Sequence, residues 1–114
     1  MENTISWQDF EKIEIRVGTI EKAEEFSEVK KPAYKLWINL GKYGIKKSSA
    51  QITQNYNVEE LIGKQVLCVT NFPPKQIANF ISEVLTTGFI NEDNEKNVIL
   101  ATTDKKVENG TRLM

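Results

Sequence analysis

The sequence contains no histidine, and Cys68 is its only cysteine. Without histidine the chain lacks the most frequent general acid–base of enzymes, the most frequent metal ligand and any triad built on Ser-His or Cys-His. One cysteine forms no disulfide within the chain and supplies too few thiolates for a usual zinc site. We therefore expect no enzymatic activity, no metal ion and no cofactor, and we assign Cys68 to the core.

Long apolar stretches are also missing. No run approaches the ~18 apolar residues of a membrane span, and Met1 to Thr4 lack the basic and apolar regions of a secretory signal. We expect a cytoplasmic protein without membrane insertion. A chain of 114 residues, with 39% hydrophobic side chains, fits one domain over residues 1–114. A domain of this size gains stability by pairing with a second copy.

Charge is distributed unevenly along the chain, although the formal net charge is −1. Residues 30–75 contain eight lysines but only two acidic residues, Glu59 and Glu60, whereas the rest carries seven positive and fourteen negative groups. A basic middle can present a positive surface to phosphate in spite of a nearly neutral total. The alternative is that these lysines simply lie in exposed loops.

Residue patterns predict short strands and two short helical segments. Ser6 and Asp9 form the Ser-x-x-Asp pattern of a helix start, which predicts about two turns through Lys12, and residues 53–62 predict further helical turns. Alternating or continuous apolar residues predict strands over 13–20 (with a bulge near Gly18), 34–40, 45–50, 66–69, 84–90 and 98–101. This spacing indicates a small all-β barrel, and periodicity alone fits an OB-fold and an SH3-like barrel equally.

The segment Asn-Phe-Pro-Pro-Lys-Gln-Ile-Ala-Asn-Phe-Ile-Ser-Glu-Val-Leu, residues 71–85, carries a family resemblance. It resembles the signature of the transfer-RNA-binding domain found in bacterial methionyl-tRNA synthetase C-termini and in the endothelial monocyte-activating polypeptide. Residues 15–20 and 32–36 are similar to further elements of this family, in the same order, and residues 9–12 and 109–111 match its CsaA-type branch. Ser-Ser-Ala-Gln-Ile-Thr, residues 48–53, is similar to the version typical of the CsaA-type, export-related chaperone branch.

The resemblance implies an OB-fold, a five-stranded barrel, with a short N-terminal helix and a short helical insertion. It implies a homodimer sealed by its N- and C-terminal segments, and binding to the outer corner of tRNA by shape and backbone. The CsaA branch implies a chaperone that binds unfolded preproteins for export. The expected partners are therefore tRNA, an unfolded preprotein or peptide, and a second copy. The alternatives are a tRNA-binding protein without chaperone role and a purely structural dimer.

Polar side chains of the matched segments are candidates for RNA contacts, because RNA of defined shape is held through phosphates and 2′-hydroxyls. The candidate nucleic-acid-binding residues are Lys35, Lys46, Lys47, Ser49, Gln51, Asn71, Lys75 and Ser82. Two of them have an equally good structural explanation: Asn71 can hydrogen-bond within its own turn, and Ser82 can satisfy loop backbone.

The candidate peptide-binding residues are Trp37, Phe72, Phe80 and Ile81. Trp37 lies on the predicted strand face opposite the core, so we expect it to be exposed. It could stack on a base, line a peptide groove or lie between two copies, and we favour a protein contact because the outer corner of tRNA offers few splayed bases. Asn79 and Ile81 replace a glycine and a basic residue of the family pattern, which shifts the interpretation towards peptide binding.

Overall fold

Residues 3–114 are described by a computed structural model, in which strands predominate. Met1 and Glu2, which contribute to the expectation about a secretory signal, lie outside the described residues. The helices are α1 Trp7–Glu11 and α2 Val58–Leu61, with a 3₁₀ turn at Gly41–Tyr43. The strands are β1 Ile15–Glu25, β2 Tyr34–Asn39, β3 Ile45–Ala50, β4 Gln65–Val69, β5 Lys75–Ile77, β6 Phe80–Ser82, β7 Leu85–Thr86, β8 Gly88–Asn91 and β9 Asn94–Leu100.

Five strands form an antiparallel sheet in the order β3-β2-β1-β4-β7, which curls into a nearly closed barrel. The main-chain amides of Glu83 and Val84 donate to the carbonyl of Lys47 at 2.7 and 3.3 Å, which joins β3 to the segment before β7. At the same junction the hydroxyl of Thr86 donates to the buried hydroxyl of Ser48 at 2.8 Å. The all-β barrel with an N-terminal helix and a helical insertion is therefore confirmed.

Alternate side chains of β2 fill the barrel. Leu36 and Ile38 are fully buried, as are Ile20 of β1 and Cys68 of β4. Burial raises the pKa of the Cys68 thiol to about 12, so this thiol is neutral and serves as a small core residue. Leu61 of α2 joins the same cluster, which explains why a helical insertion stands before β4.

Each helix begins with a capping box. The hydroxyl of Ser6 accepts from the amide of Asp9 at 3.1 Å, and the carboxylate of Asp9 accepts from the amide of Ser6 at 3.2 Å. Asn57 and Glu60 repeat this exchange at α2. Neither helix exceeds five residues, and within residues 3–114 no helix has the length and apolar character to cross a bilayer.

The predicted bulge near Gly18 is wrong, since the register shift between β1 and β2 lies between Ile20 and Lys22. Gly18 is needed for a different reason. A Cβ at this position would overlap the Ile38 side chain and lie 2.8 Å from Cδ2 of Leu40. The glycine therefore allows the side chains of β2 to pack directly on the backbone of β1.

The predicted strand 84–90 is two strands. β7 pairs with β4 and belongs to the barrel, whereas β8 pairs with β9 in a separate hairpin. Thr87 lies at the junction, where its amide donates to Leu67 at 3.0 Å and its carbonyl accepts from Ala101 at 3.1 Å. β9 also begins at Asn94 rather than Val98, because the tip of this hairpin is exposed on both faces and shows no apolar alternation.

We expect Gly18→Ala to lower the free energy of unfolding by about 1–3 kcal/mol, because the added methyl overpacks the contact between β1 and β2. Chemical denaturation measures this change. A double-mutant cycle with Ile38→Ala should show that the two changes are not additive, since Ile38 supplies the nearest atom. Strictly additive effects would contradict this packing explanation.

Candidate nucleic-acid and peptide interface

Four predicted site residues come together on the outside of β2 and β3. The register pairs Lys35 with Ser49 and Trp37 with Lys47. Because side chains alternate along strands, these four lie on the side opposite the core, and we call them the outer face. In OB-folds this side of the second and third strands is a common ligand surface.

A hairpin formed by β5 and β6 lies next to the outer face. Lys75 pairs with Ser82 and Ile77 with Phe80, and Ala78 in the turn has a φ of 52°, in the left-handed region. The amide of Ser49 donates to Oγ of Ser82 at 3.2 Å. Strand patterns do not predict this hairpin, because its strands have three residues each and the first directly follows a Pro-Pro pair.

An aromatic cluster packs beneath this hairpin. The ring centroid of Phe80 lies 5.5 Å from that of Phe26 and 5.8 Å from that of Trp37. Phe80 is only 6% exposed, so its placement as an accessible peptide contact is corrected: it supports the hairpin from within. Trp37 is half-buried rather than exposed, because its ring packs against Phe80.

Lysine ammonium groups lie over the aromatic cluster. Nζ of Lys22 is 4.5 Å from the Trp37 centroid, and Nζ of Lys47 is 5.3 Å from that of Phe80. Nζ of Lys35 is 5.5 Å from the Phe26 centroid and 3.7 Å from a carboxylate oxygen of Glu24. The surface thus combines positive charge with aromatic rings. Lys22 is not among the residues predicted from the sequence, because the bulge after Ile20 brings it beside Trp37. The sequence signal for this bulge is Ile20, an apolar residue that breaks the alternation of Ile15 and Val17.

Phe72 stands between two neighbouring cavities and is 55% exposed. The first has a volume of about 410 Å³ and is lined by Ser49, Lys75 and Ser82 among others. The second, of about 390 Å³, is lined by Lys46 and Tyr43 among others. Both share Phe72, Glu83 and Val84, so they form one continuous apolar and polar surface.

Lys46 and Arg16 contribute to the second cavity in different ways. The Arg16 guanidinium is engaged, since Nε donates to Glu14 at 2.8 Å and Nη1 donates to the Gly110 carbonyl at 2.8 Å. The hydrogen bonds from Arg16 and Thr70 hold the pKa of Glu14 below its usual value. Lys46 alternates with Lys47 along β3, so it lies away from the outer face and supplies positive charge to this cavity instead.

Asn71 and Ser82 have structural partners. Oδ1 of Asn71 accepts from the Glu14 amide at 3.0 Å, and Nδ2 donates to the Lys12 carbonyl at 2.7 Å. Asn71 thereby ties the end of α1 to the end of β4, and Ser82 ties the hairpin to β3. The geometry supports the structural explanation for both, and a direct ligand contact stays a prediction.

Gln51 and Ile81 line neither of the two cavities beside Phe72. Gln51 follows β3 and lines a third cavity, which shares no lining residue with the two beside Phe72. Ile81 is 45% exposed on β6, where it pairs with Gln76 and alternates with the buried Phe80. Ile81 therefore presents apolar surface on the solvent side of the hairpin.

Asn71→Ala should lower the free energy of unfolding by about 1–2 kcal/mol, because two hydrogen bonds between distant segments are lost. Asn79→Ala is the control, since Asn79 makes one exposed hydrogen bond to Glu28, and its effect should stay within about 0.5 kcal/mol. Thermal unfolding compares the two variants. Unchanged stability together with weaker tRNA binding would instead assign Asn71 to the ligand.

A family model described as a putative tRNA binding domain matches residues 15–112. The chain is also 34% identical over 107 residues to the methionine–tRNA ligase of Methanococcoides burtonii, and 30% identical over 106 residues to that of Helicobacter pylori strain J99. These matches cover 94% and 93% of this chain but 15% and 16% of the ligases. Only a small segment of each ligase is therefore similar to this chain.

Solved structures are similar over nearly the whole chain. The chaperone CsaA from Bacillus anthracis is 44% identical with a TM-score of 0.92, covering 98% of this chain and 100% of that one. The CsaA chaperone protein from Picrophilus torridus is 51% identical with a TM-score of 0.87, at 97% and 100% coverage. The MetRS-related protein from Pyrococcus horikoshii is 27% identical with a TM-score of 0.85, at 98% and 99% coverage.

The family model is described by its binding to tRNA, and two of the three structural neighbours are described as chaperones. Together with the barrel and the signature hairpin, they confirm the resemblance drawn from residues 71–85. The chain belongs to the tRNA-binding domain family, in its CsaA-type branch.

Proposed function

We propose that the chain is a cytoplasmic, non-enzymatic chaperone of the CsaA type, which binds extended segments of unfolded preproteins beside the β5–β6 hairpin. The observation that carries this proposal is the exposure of Phe72 between two cavities, with Ile81 exposed on the adjoining hairpin. Exposed apolar groups of this kind are typical of protein contact sites.

An extended polypeptide fits this surface because its side chains point alternately to two sides. The two cavities meet at Phe72, so successive side chains of one segment can enter both. Each cavity has a volume of about 400 Å³, which accommodates a large apolar side chain. Lys46 and Lys75 each line one cavity and the carboxylate of Glu83 lines both, so charged groups of both signs stand beside the apolar ones.

A second candidate function is sequence-independent binding of tRNA. Lys35, Lys47 and Lys75 lie on the outer face and the adjacent hairpin, and the matched family is described as tRNA-binding. Ammonium groups on one curved sheet suit the phosphate backbone of a folded RNA. The same face would then serve both ligands.

We also propose that two copies form a homodimer through their chain ends. Nη2 of Arg112 donates to the Glu11 carbonyl at 2.7 Å, which places the C-terminal segment beside α1. Ile5, Trp7 and Leu113 are exposed there. Sedimentation at micromolar concentration should give twice the monomer mass, and a clean monomer would refute the dimer.

Phe72→Ser should weaken binding of an unfolded preprotein at least about tenfold, because burial of one large apolar side chain is worth about 1.5–3 kcal/mol. Fluorescence anisotropy with a labelled, unfolded preprotein measures the affinity. Ile62→Ser is the matched control, since Ile62 is 49% exposed but lies after α2, outside both cavities. Equal losses in the two variants, or none, would contradict the proposed peptide site.

Lys47→Gln should reduce the slope of log affinity for tRNA against log salt concentration by about 0.7–0.9, because one phosphate contact is lost. Lys105→Gln is the control, since Lys105 lines a cavity near the chain end instead. Filter binding across a salt series gives both slopes. If the protein does not bind tRNA at low salt, only the chaperone function remains supported. If it binds neither tRNA nor preprotein, the results favour a purely structural dimer.

A further inference from the structure

The third cavity, which contains Gln51, is formed by three segments that are distant in sequence. Residues 30–32 come from the connection between β1 and β2, residues 51–54 follow β3, and residues 90–96 belong to the β8–β9 hairpin. The cavity has a volume of about 390 Å³, which lies in the range of small-molecule sites. Its lining includes no residue of the outer face or of the two cavities beside Phe72.

Positive charge converges on this cavity. Lys30, Lys31 and Lys96 line it, against the single carboxylate of Glu95. In the part of the chain that the structure describes, none of these lysines is within 4.0 Å of a carboxylate oxygen. Three uncompensated ammonium groups beside a small cavity favour an anion with several acceptor oxygens, such as a phosphate group.

Neutral polar groups line the wall next to these lysines. Gln51, Thr53 and Gln54 supply amide and hydroxyl groups from one short segment. In the described residues none of these three side chains makes a hydrogen bond to another protein group, so their donors and acceptors remain available to a ligand.

An apolar wall completes the cavity. Pro32 and Ile90 both line it, and Ile90 is 62% exposed although it belongs to a strand. A flat ring placed against these two side chains would remove apolar surface from water. Glu95 can accept hydrogen bonds from hydroxyl or amino groups of the same ligand. A phosphate, a flat ring and hydroxyl groups together are the chemistry of a nucleotide.

We propose that this cavity binds a single nucleotide through its monophosphate, with the phosphate among Lys30, Lys31 and Lys96 and the base against Pro32 and Ile90. The site goes beyond the proposed function, because it recognises one nucleotide unit and uses none of the residues at the outer face or beside Phe72. The nucleotide is either a free mononucleotide or one nucleotide of an RNA, since both present the same groups.

The test is a separate titration of the full chain with AMP, with adenosine and with inorganic phosphate. Binding is monitored by NMR through the chemical shifts of the backbone amide groups. AMP should bind saturably, with a dissociation constant below about 1 mM, and adenosine and phosphate should each bind at least about tenfold more weakly. Absence of saturation, or phosphate binding as tight as that of AMP, overturns the proposal.

Two variants separate the parts of the site, and both change exposed side chains, so the fold should persist. Lys30→Gln combined with Lys96→Gln should weaken AMP binding at least about tenfold, whereas Ile90→Ser should weaken AMP but leave phosphate unaffected. Lys105→Gln is the control and should change neither, since Lys105 lines a different cavity. Equal losses in the control and the double variant overturn the proposal.

Competition with tRNA identifies the source of the nucleotide. Displacement of AMP by tRNA assigns the site to one nucleotide of an RNA, and simultaneous binding assigns it to a free mononucleotide; both results support the site. The experiment is independent of the chaperone function. Phe72→Ser should weaken preprotein binding at least about tenfold without changing AMP binding, so failure of one proposal can be told apart from failure of the other.

Discussion

The main-chain groups of Lys47 and Ser49 in β3 hold the rest of the architecture together. The carbonyl of Lys47 accepts the amides of Glu83 and Val84, its amide donates to the Glu83 carboxylate at 3.0 Å, and the Ser49 amide donates to Ser82. An edge strand with unpaired backbone groups would otherwise be exposed. These hydrogen bonds close the barrel and at the same time fix the β5–β6 hairpin next to the outer face.

Attachment of the hairpin determines the chemistry of the surface. Phe80 of the hairpin packs inward on Phe26 and Trp37. Ile81, on the solvent side of the hairpin, and Phe72, before it, remain exposed. The rings beneath it lie under lysine ammonium groups, so apolar surface and positive charge occupy the same side of the barrel. In the proposed function, the apolar groups of this surface contact the peptide and the ammonium groups contact the phosphates of tRNA.

The β8–β9 hairpin adds a separate cavity at another part of the barrel. Ile90 and Lys96 of this hairpin line the cavity together with residues of the connection between β1 and β2. This cavity shares no lining residue with the two cavities beside Phe72. The basic character of residues 30–75 is therefore divided: Lys35 and Lys47 serve the outer face, Lys46 a neighbouring cavity, and Lys30 and Lys31 the third.

The sequence alone determined most strands of the barrel, the start of α1, the core position of Cys68 and the family, because alternation, a capping pair and a contiguous signature are local properties. It placed helical turns within residues 53–62 but did not determine that α2 starts only at Val58. It did not determine that Phe80 is buried, that Trp37 is half-covered, or that Gln51 lies apart from Ser49 two residues earlier. Those outcomes depend on which segment covers which strand face, and hydrogen bonds between residues more than thirty positions apart decide that. Periodicity reports the two sides of a strand; only the tertiary structure shows what lies against each side.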